Sequence, residues 1–250
     1  MRLQTAGRAA GFRVEEFGEI EACPLFALTK RTSGPRPRIY LSSGLHGDEP
    51  APPLVLLELI EAGIFDTRAN WFLCPLLNPT GLMRGTRENS AGLDLNRDYK
   101  DLRSAEIRAH SGWLQRQPNF DLTLCVHEDW ESKGYYLYEL NPSALASLAE
   151  PMIAAVSKAC PIESATVIDG RQTAAPGIIR PVSDPLMRET WPEAIYLRAH
   201  HTTLSYTLET PSAFPLDQRI AAHRTAIETA LTLATRDWRK TRACPPTSAP

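Results

Sequence analysis

The sequence has no run of like charge, no closely spaced pair of cysteines and no long apolar stretch. Each absence argues against a class of protein. Lys and Arg number 27 against 29 Asp and Glu, for a formal net charge of −2, with no basic or acidic block. A nucleic-acid partner, which needs a basic face, is therefore not expected. The five cysteines (Cys23, Cys74, Cys125, Cys160 and Cys244) are odd in number, widely spread and form no C-x-x-C. That argues against a disulfide framework and against a cysteine-type zinc site. Cys74 and Cys125, inside WFLCPLL and LTLCVH, read as buried, inert thiols. The longest apolar run, 54-LVLLELI-60, is too short to span a bilayer and contains Glu58, so no membrane association is expected. The N-terminal MRLQTAGRAAGFRVEEF lacks the apolar core of a secretory signal, and a cytoplasmic location is expected. No internal repeat and no linker divides the chain.

What is present is an ordinary globular balance, 43% hydrophobic and 22% charged over 250 residues, enough to bury a full core. Strand-like segments read at 13–20, 24–30, 38–43, 71–78, 122–128, 134–140 and 204–211. Helices are expected from Pro52 to about Gly63, from Ser104 to Gln115, from Pro142 to about Lys158 and from 216 to 238. In the last, Leu216, Ile220, Ile227, Leu231, Ala234 and Trp238 form one stripe. The alternation predicts a single α/β domain over 1–240, a doubly wound mixed sheet flanked by helices, with a flexible tail at 241–250. Residues 79–103 show neither helix nor strand period and form a long loop of the kind that carries function.

In such sheets, ligands bind at the carboxyl ends of strands, and three features fall there. RIYLSS runs into SGLHGDE, which places His46 and Glu49 three residues apart in a Gly-rich turn. H-x-x-E at this spacing is either a polar cap for the following helix or two ligands for one metal. His127 closes the apolar strand LTLCVH, as a core histidine or as a third ligand. Glu209 ends LSYTLE, as a cap for the final helix or as a catalytic acid. Of the other histidines, His110 and His223 fall in helices with polar neighbours and are expected to be solvated. Glu128, Asp129 and Glu131 form a polar loop after His127, with a supporting or pocket role open to one of them.

The loop NPTGLMRGTRENSAGLDLNRDY (78–99) resembles the zinc carboxypeptidase family, which shows N-P-x-G…T-R-x-N…G-x-D-L-N-R between H-x-x-E and one downstream His. The order of motifs matches, and TLETP resembles that family's late glutamate at a strand end. The resemblance covers about residues 38 to 240 and is nearest the short bacterial branch that includes murein peptide amidases. It implies one zinc ion held by His46, Glu49 and His127, with Glu209 as general base and acid. It implies Arg87 at the oxyanion, and Asn96 with Arg97 at a substrate carboxylate, where a guanidinium binds bidentately. Tyr196 is the nearest candidate for a tyrosine that covers the substrate's terminal residue. The implied activity is a metallocarboxypeptidase acting on a small peptide or peptide-like amide. The related succinylglutamate desuccinylase and aspartoacylase branch shares the metal triad and the Asn-Arg pair, which leaves an N-acyl-amino-acid deacylase as the alternative. A non-catalytic binding protein on the same scaffold is the remaining one.

Overall fold

The computed structural model describes residues 2–243. The side chain of Trp238 and most of the expected 241–250 tail lie outside the described residues. Ten strands are found among the described residues: β1 (Arg13–Ile20), β2 (Cys23–Lys30), β3 (Arg38–Ser42), β4 (Asn70–Cys74), β5 (Leu122–Asp129), β6 (Tyr136–Leu140), β7 (Val167–Ile168), β8 (Arg171–Gln172), β9 (Ile178–Ile179) and β10 (Ser205–Pro211). The helices are α1 (Arg2–Ala9), α2 (Ala51–Glu61), α3 (Pro79–Arg84), α4 (Ala105–Leu114), α5 (Ala149–Val156), α6 (Glu193–His200) and α7 (Leu216–Ala243). Among the described residues, no helix is long and apolar enough to cross a membrane.

Eight strands form one mixed sheet in the order β1-β2-β4-β3-β5-β10-β6-β9. Its middle, β4, β3, β5 and β10, is parallel, while β2 and β6 pair antiparallel to that block on either side. Strand alternation separates two cores, one on each face. Ile39 and Leu41 of β3, Leu122, Leu124 and Val126 of β5, and Tyr206 and Leu208 of β10 face the layer of α2, α5 and α7. Tyr40 and Cys125 face the other layer, with Ile107 and Trp113 of α4 and Leu197 of α6. His127 shares the parity of Cys125, and Glu209 the parity opposite to Leu208. Both therefore point to the α4/α6 side, at the carboxyl end of the parallel block.

Several expected boundaries shift. The strand expected over 71–78 stops at Cys74, where Pro75 removes a ladder donor. The helix expected from Pro142 starts at Ala149, because Asn141 closes a turn on Leu145 through 2.9 and 2.8 Å bonds. The loop 79–103 contains α3 and a 3-10 turn at Leu95–Arg97. His110 and His223 are fully buried, contrary to the solvated positions expected of them. His110 bridges Tyr40 and Tyr99 at 2.9 and 2.7 Å, and His223 meets the Thr210 hydroxyl at 3.0 Å.

Candidate metal centre and substrate cavity

The turn after β3 is shaped by contact with the loop that follows β4. Gly44 has φ +63°, and a Cβ on Gly47 would meet the Gly81 carbonyl carbon at 1.9 Å. Only glycine lets the backbone of the His46 turn lie against α3. Asn78, at the α3 N-cap, accepts from the Gly81 amide at 2.9 Å, and its own amide donates to the carbonyls of Leu45 and Arg87, each at 3.3 Å. The N-P-T-G motif thus joins the chain beside His46 to the chain beside Arg87. Asn89 does similar work inside the loop. Its carboxamide oxygen takes the amides of Ala91 and Leu93, and its amide group meets both carboxylate oxygens of Glu106 at 3.1 Å.

These contacts bring three side chains together. His46 Nδ1 lies 2.5 Å from Glu49 Oε1, and His127 Nδ1 lies 2.9 Å from Glu49 Oε2. The three side chains are buried, and their ligand atoms all fall within 4.8 Å of one another. Burial opposes charging the His46 ring, but Glu49 and Asp94 outweigh it and push its pKa up to about 9. Burial likewise opposes the Glu49 carboxylate, yet His46 and His127 pull it well below the usual range. Two imidazoles and one carboxylate, buried and convergent at the edge of a cavity, fit the donor set of a divalent metal.

Asp94 extends the cluster. Its Oδ1 lies 3.2 Å from His46 Nε2, and its Oδ2 accepts from Arg87 Nε at 3.1 Å. A carboxylate on the far nitrogen fixes tautomer and ring orientation. Asp94 stands inside the G-x-D-L-N-R motif, two residues before Asn96, and that proximity was the signal available for it in the sequence. The Arg87 guanidinium sits 3.3 Å from His46 Nδ1 and 3.7 Å from Glu49 Oε1.

A cavity of about 550 Å³ opens over this cluster, and its wall includes Arg87, Asn96, Arg97 and Glu209. Asn96 is held by both ends of its surroundings: its amide donates to Asp94 at 2.9 Å, and its side-chain oxygen accepts from the Glu193 amide at 2.9 Å. The Nδ2 group is left for the cavity. Burial, with help from Glu49 and Asp129, pushes the Glu209 carboxyl up; His127 and Arg87 oppose this.

Tyr196 is not brought to this cavity. It is buried on α6 against Tyr99, with ring centroids 5.6 Å apart, and borders a separate hollow with Trp191 and His200. The aromatic residues on the cavity over the His46–Glu49–His127 cluster are instead Trp130, Tyr136 and Tyr138. Glu128 is not solvated either. It accepts from the Ala51 amide at 2.6 Å and pairs with Arg219, tying the start of α2 to α7. Asp129 accepts from the Tyr136 hydroxyl at 2.9 Å on the cavity wall.

Comparison with known proteins follows this geometry. Residues 35–178 match the family described as succinylglutamate desuccinylase/aspartoacylase catalytic domain. No curated protein matches the chain. Among solved structures, a candidate metallopeptidase from Shewanella amazonensis is 27% identical with a TM-score of 0.81, covering 93% of this chain and 91% of that one. Another from Shewanella baltica is 26% identical at 0.78, covering 93% and 90%. A metallo-carboxypeptidase from Burkholderia cenocepacia shares the fold at 19% identity and a TM-score of 0.69, over 95% of this chain and 68% of that one.

Proposed function

The chain belongs to the succinylglutamate desuccinylase/aspartoacylase family of hydrolases, and from that premise we propose that it is a zinc-dependent amide hydrolase. Its substrate is an amide whose nitrogen belongs to an amino acid with a free carboxylate. The observation that carries this reading is the placement of His46, Glu49, His127, Arg87, Asn96, Arg97 and Glu209 on one cavity. A carboxypeptidase and an N-acyl-amino-acid deacylase share this reaction centre. In both, the leaving group is the amino acid, and they differ in what is attached to its nitrogen.

His46, Glu49 and His127 would hold the metal, whose contribution when bound is Lewis-acid polarisation of the substrate carbonyl and acidification of a water. The chain's own groups do the rest. Asn96 and Arg97 take the carboxylate and so fix where the adjacent amide lies. Glu209 accepts a proton from the attacking water and delivers it to the leaving nitrogen, a task suited to a carboxyl whose pKa is raised. The Arg87 guanidinium, anchored by Asp94, stabilises negative charge as it grows on the carbonyl oxygen. The C–N bond breaks, the acyl carbon gains the water oxygen, and a free amino acid departs.

Product analysis tests this. A panel of short peptides and N-acyl amino acids, each with its carboxylate free or amidated, is incubated with the metal-loaded protein. Release of the amino acid from the free acids and not from their amides supports the reading. Cleavage of both alike at an internal bond would replace it with an endo-acting amidase.

A further inference from the structure

The cavity carries both cationic and apolar side chains. Arg97, Arg171 and Arg188 all line it. Among the described residues the Arg188 guanidinium makes no hydrogen bond or ion pair; burial and the charges of Arg171 and Arg97 hold its pKa below the ordinary value. Arg171 has a single distant carboxylate, Asp169 at 3.9 Å. A wall of under-compensated guanidinium groups is where an anionic end of a ligand belongs.

Apolar side chains stand elsewhere on the wall, among the charged groups of Asp129, Glu131, Lys133, Glu163 and Asp169. Trp130 and Val167 line the cavity and are 74% and 48% exposed. The segment 181–188 contributes Pro181, Ser183, Pro185 and Arg188 to the wall, while its largely exposed Val182 and Met187 are not part of that wall. Two of the eight exposed large hydrophobic residues among those described, Trp130 and Val167, therefore line this one cavity. Isolated exposed apolar side chains need no explanation, whereas a group of them at one opening marks a binding surface. Tyr136, Tyr138 and Ile168 continue the apolar lining inward. The position of the Val167 side is set by a two-residue turn, Asp169 at φ 49° and Gly170 at φ 66°, which closes the β7–β8 hairpin in the manner of a type I′ turn.

The occupant follows from continuity with the reaction centre. On the reading proposed above, on which this inference rests, the carboxylate clamp and the His46–Glu49–His127 cluster together fix the amino acid and the scissile carbonyl. Only the acyl side of the substrate is free to extend beyond them. A cavity of about 550 Å³ lies in the range that holds a drug-sized ligand, well beyond a small acyl group. We infer that the substrate is amphiphilic: an amino acid whose carboxylate meets the arginine side chains, N-acylated by a long alkyl group that spreads over Trp130, Val167, Ile168, Tyr136 and Tyr138. Hydrolysis breaks the amide C–N bond, joins the water oxygen to the acyl carbon, passes a proton to the nitrogen, and yields a fatty carboxylate and a free amino acid.

The test is a chain-length series on the metal-loaded protein, with one amino acid carrying acetyl, butyryl, hexanoyl, octanoyl or succinyl groups. kcat/KM should rise about two- to fourfold per methylene, the upper figure corresponding to full burial of each. The double variant Trp130→Ser, Val167→Ser should lower the octanoyl-to-acetyl ratio of kcat/KM at least tenfold. Met83→Ser, an exposed apolar residue on α3 away from the cavity wall, should leave that ratio as it is. A flat series, or a preference for succinyl, overturns the inference and leaves the hydrolase reading standing. Failure to cleave any member, or any short peptide, overturns the hydrolase reading itself. In that event calorimetry with the octanoyl and acetyl compounds on metal-loaded Glu209→Gln decides the inference: tighter octanoyl binding upholds it and equal affinity overturns it.

Discussion

Glu209 and His127 are register partners on the adjacent parallel strands β10 and β5. Their side chains therefore leave the same face of the sheet at the same height. The β3 strand, whose following turn carries His46 and Glu49, flanks β5 on its other side. Three neighbouring strand ends thus deliver His46, Glu49, His127 and Glu209, while Arg87, Asp94, Asn96 and Arg97 come from the loop that follows β4.

Glu209→Gln keeps the side chain's shape and removes the base. Folding and metal uptake should survive, while kcat falls by roughly 10²–10⁴, the usual contribution of a positioned general base. A purely capping role gives the reverse pattern, a stability loss near 1 kcal/mol with turnover intact. Thermal denaturation, metal content and turnover on this one variant separate the two.

Asp94→Asn should act through His46 and Arg87. Loss of the carboxylate that steadies a metal-binding imidazole typically costs about 10–100-fold in affinity or activity. Zinc competition titration should show weakened uptake with the fold intact by circular dichroism. Unchanged affinity would restrict Asp94 to holding Arg87.

Arg97→Ala should raise KM for carboxylate substrates and spare metal content. Amidating the substrate's carboxylate should cause a comparable loss in the parent protein and add little to the variant's defect. Additive losses from the two changes would mean that Arg97 and the substrate carboxylate do not meet.

Much of this centre was legible in the sequence because its ligands are local. H-x-x-E and a histidine or glutamate ending an apolar strand each occupy a strand end, where alternation and topology leave little freedom, and the Asn96-Arg97 pair is held in the short turn Leu95–Arg97. Tyr196 was not legible in the same way. Its place depends on the direction in which α6 packs, and that helix turns it toward Tyr99 while Ala194 and Ile195 reach the cavity. His110 and His223 looked solvated because their sequence neighbours are polar. Their burial depends on partners distant in sequence or fold, Tyr40 and Thr210. The strands β7, β8 and β9 are two residues each, too short for any periodicity to announce.

The buried His110 gives a pH signature away from the candidate metal centre. Burial, then the charge of His201, lowers its pKa from 6.5 to about 3. Below pH 6.5 the unfolded chain takes up a proton that the folded chain refuses until about pH 3, so stability falls as pH falls through that window. One such group contributes a slope of about 1.4 kcal/mol per pH unit at full effect. His223, also lowered to about 3, adds to it. Urea denaturation between pH 7 and pH 4 should show a shallower loss for His110→Gln than for the parent, and equal slopes would mean that His110 is protonated in the folded state.

The central claim is tested most directly by following amino-acid release from an N-acyl amino acid through chelation and zinc return. The protein should release the amino acid, lose that activity when stripped by a chelator, and regain it with one equivalent of zinc per chain. His46→Ala and His127→Ala should bind no zinc at that stoichiometry and regain nothing. Amino-acid release that persists undiminished in the stripped protein, or in either histidine variant, would contradict the account.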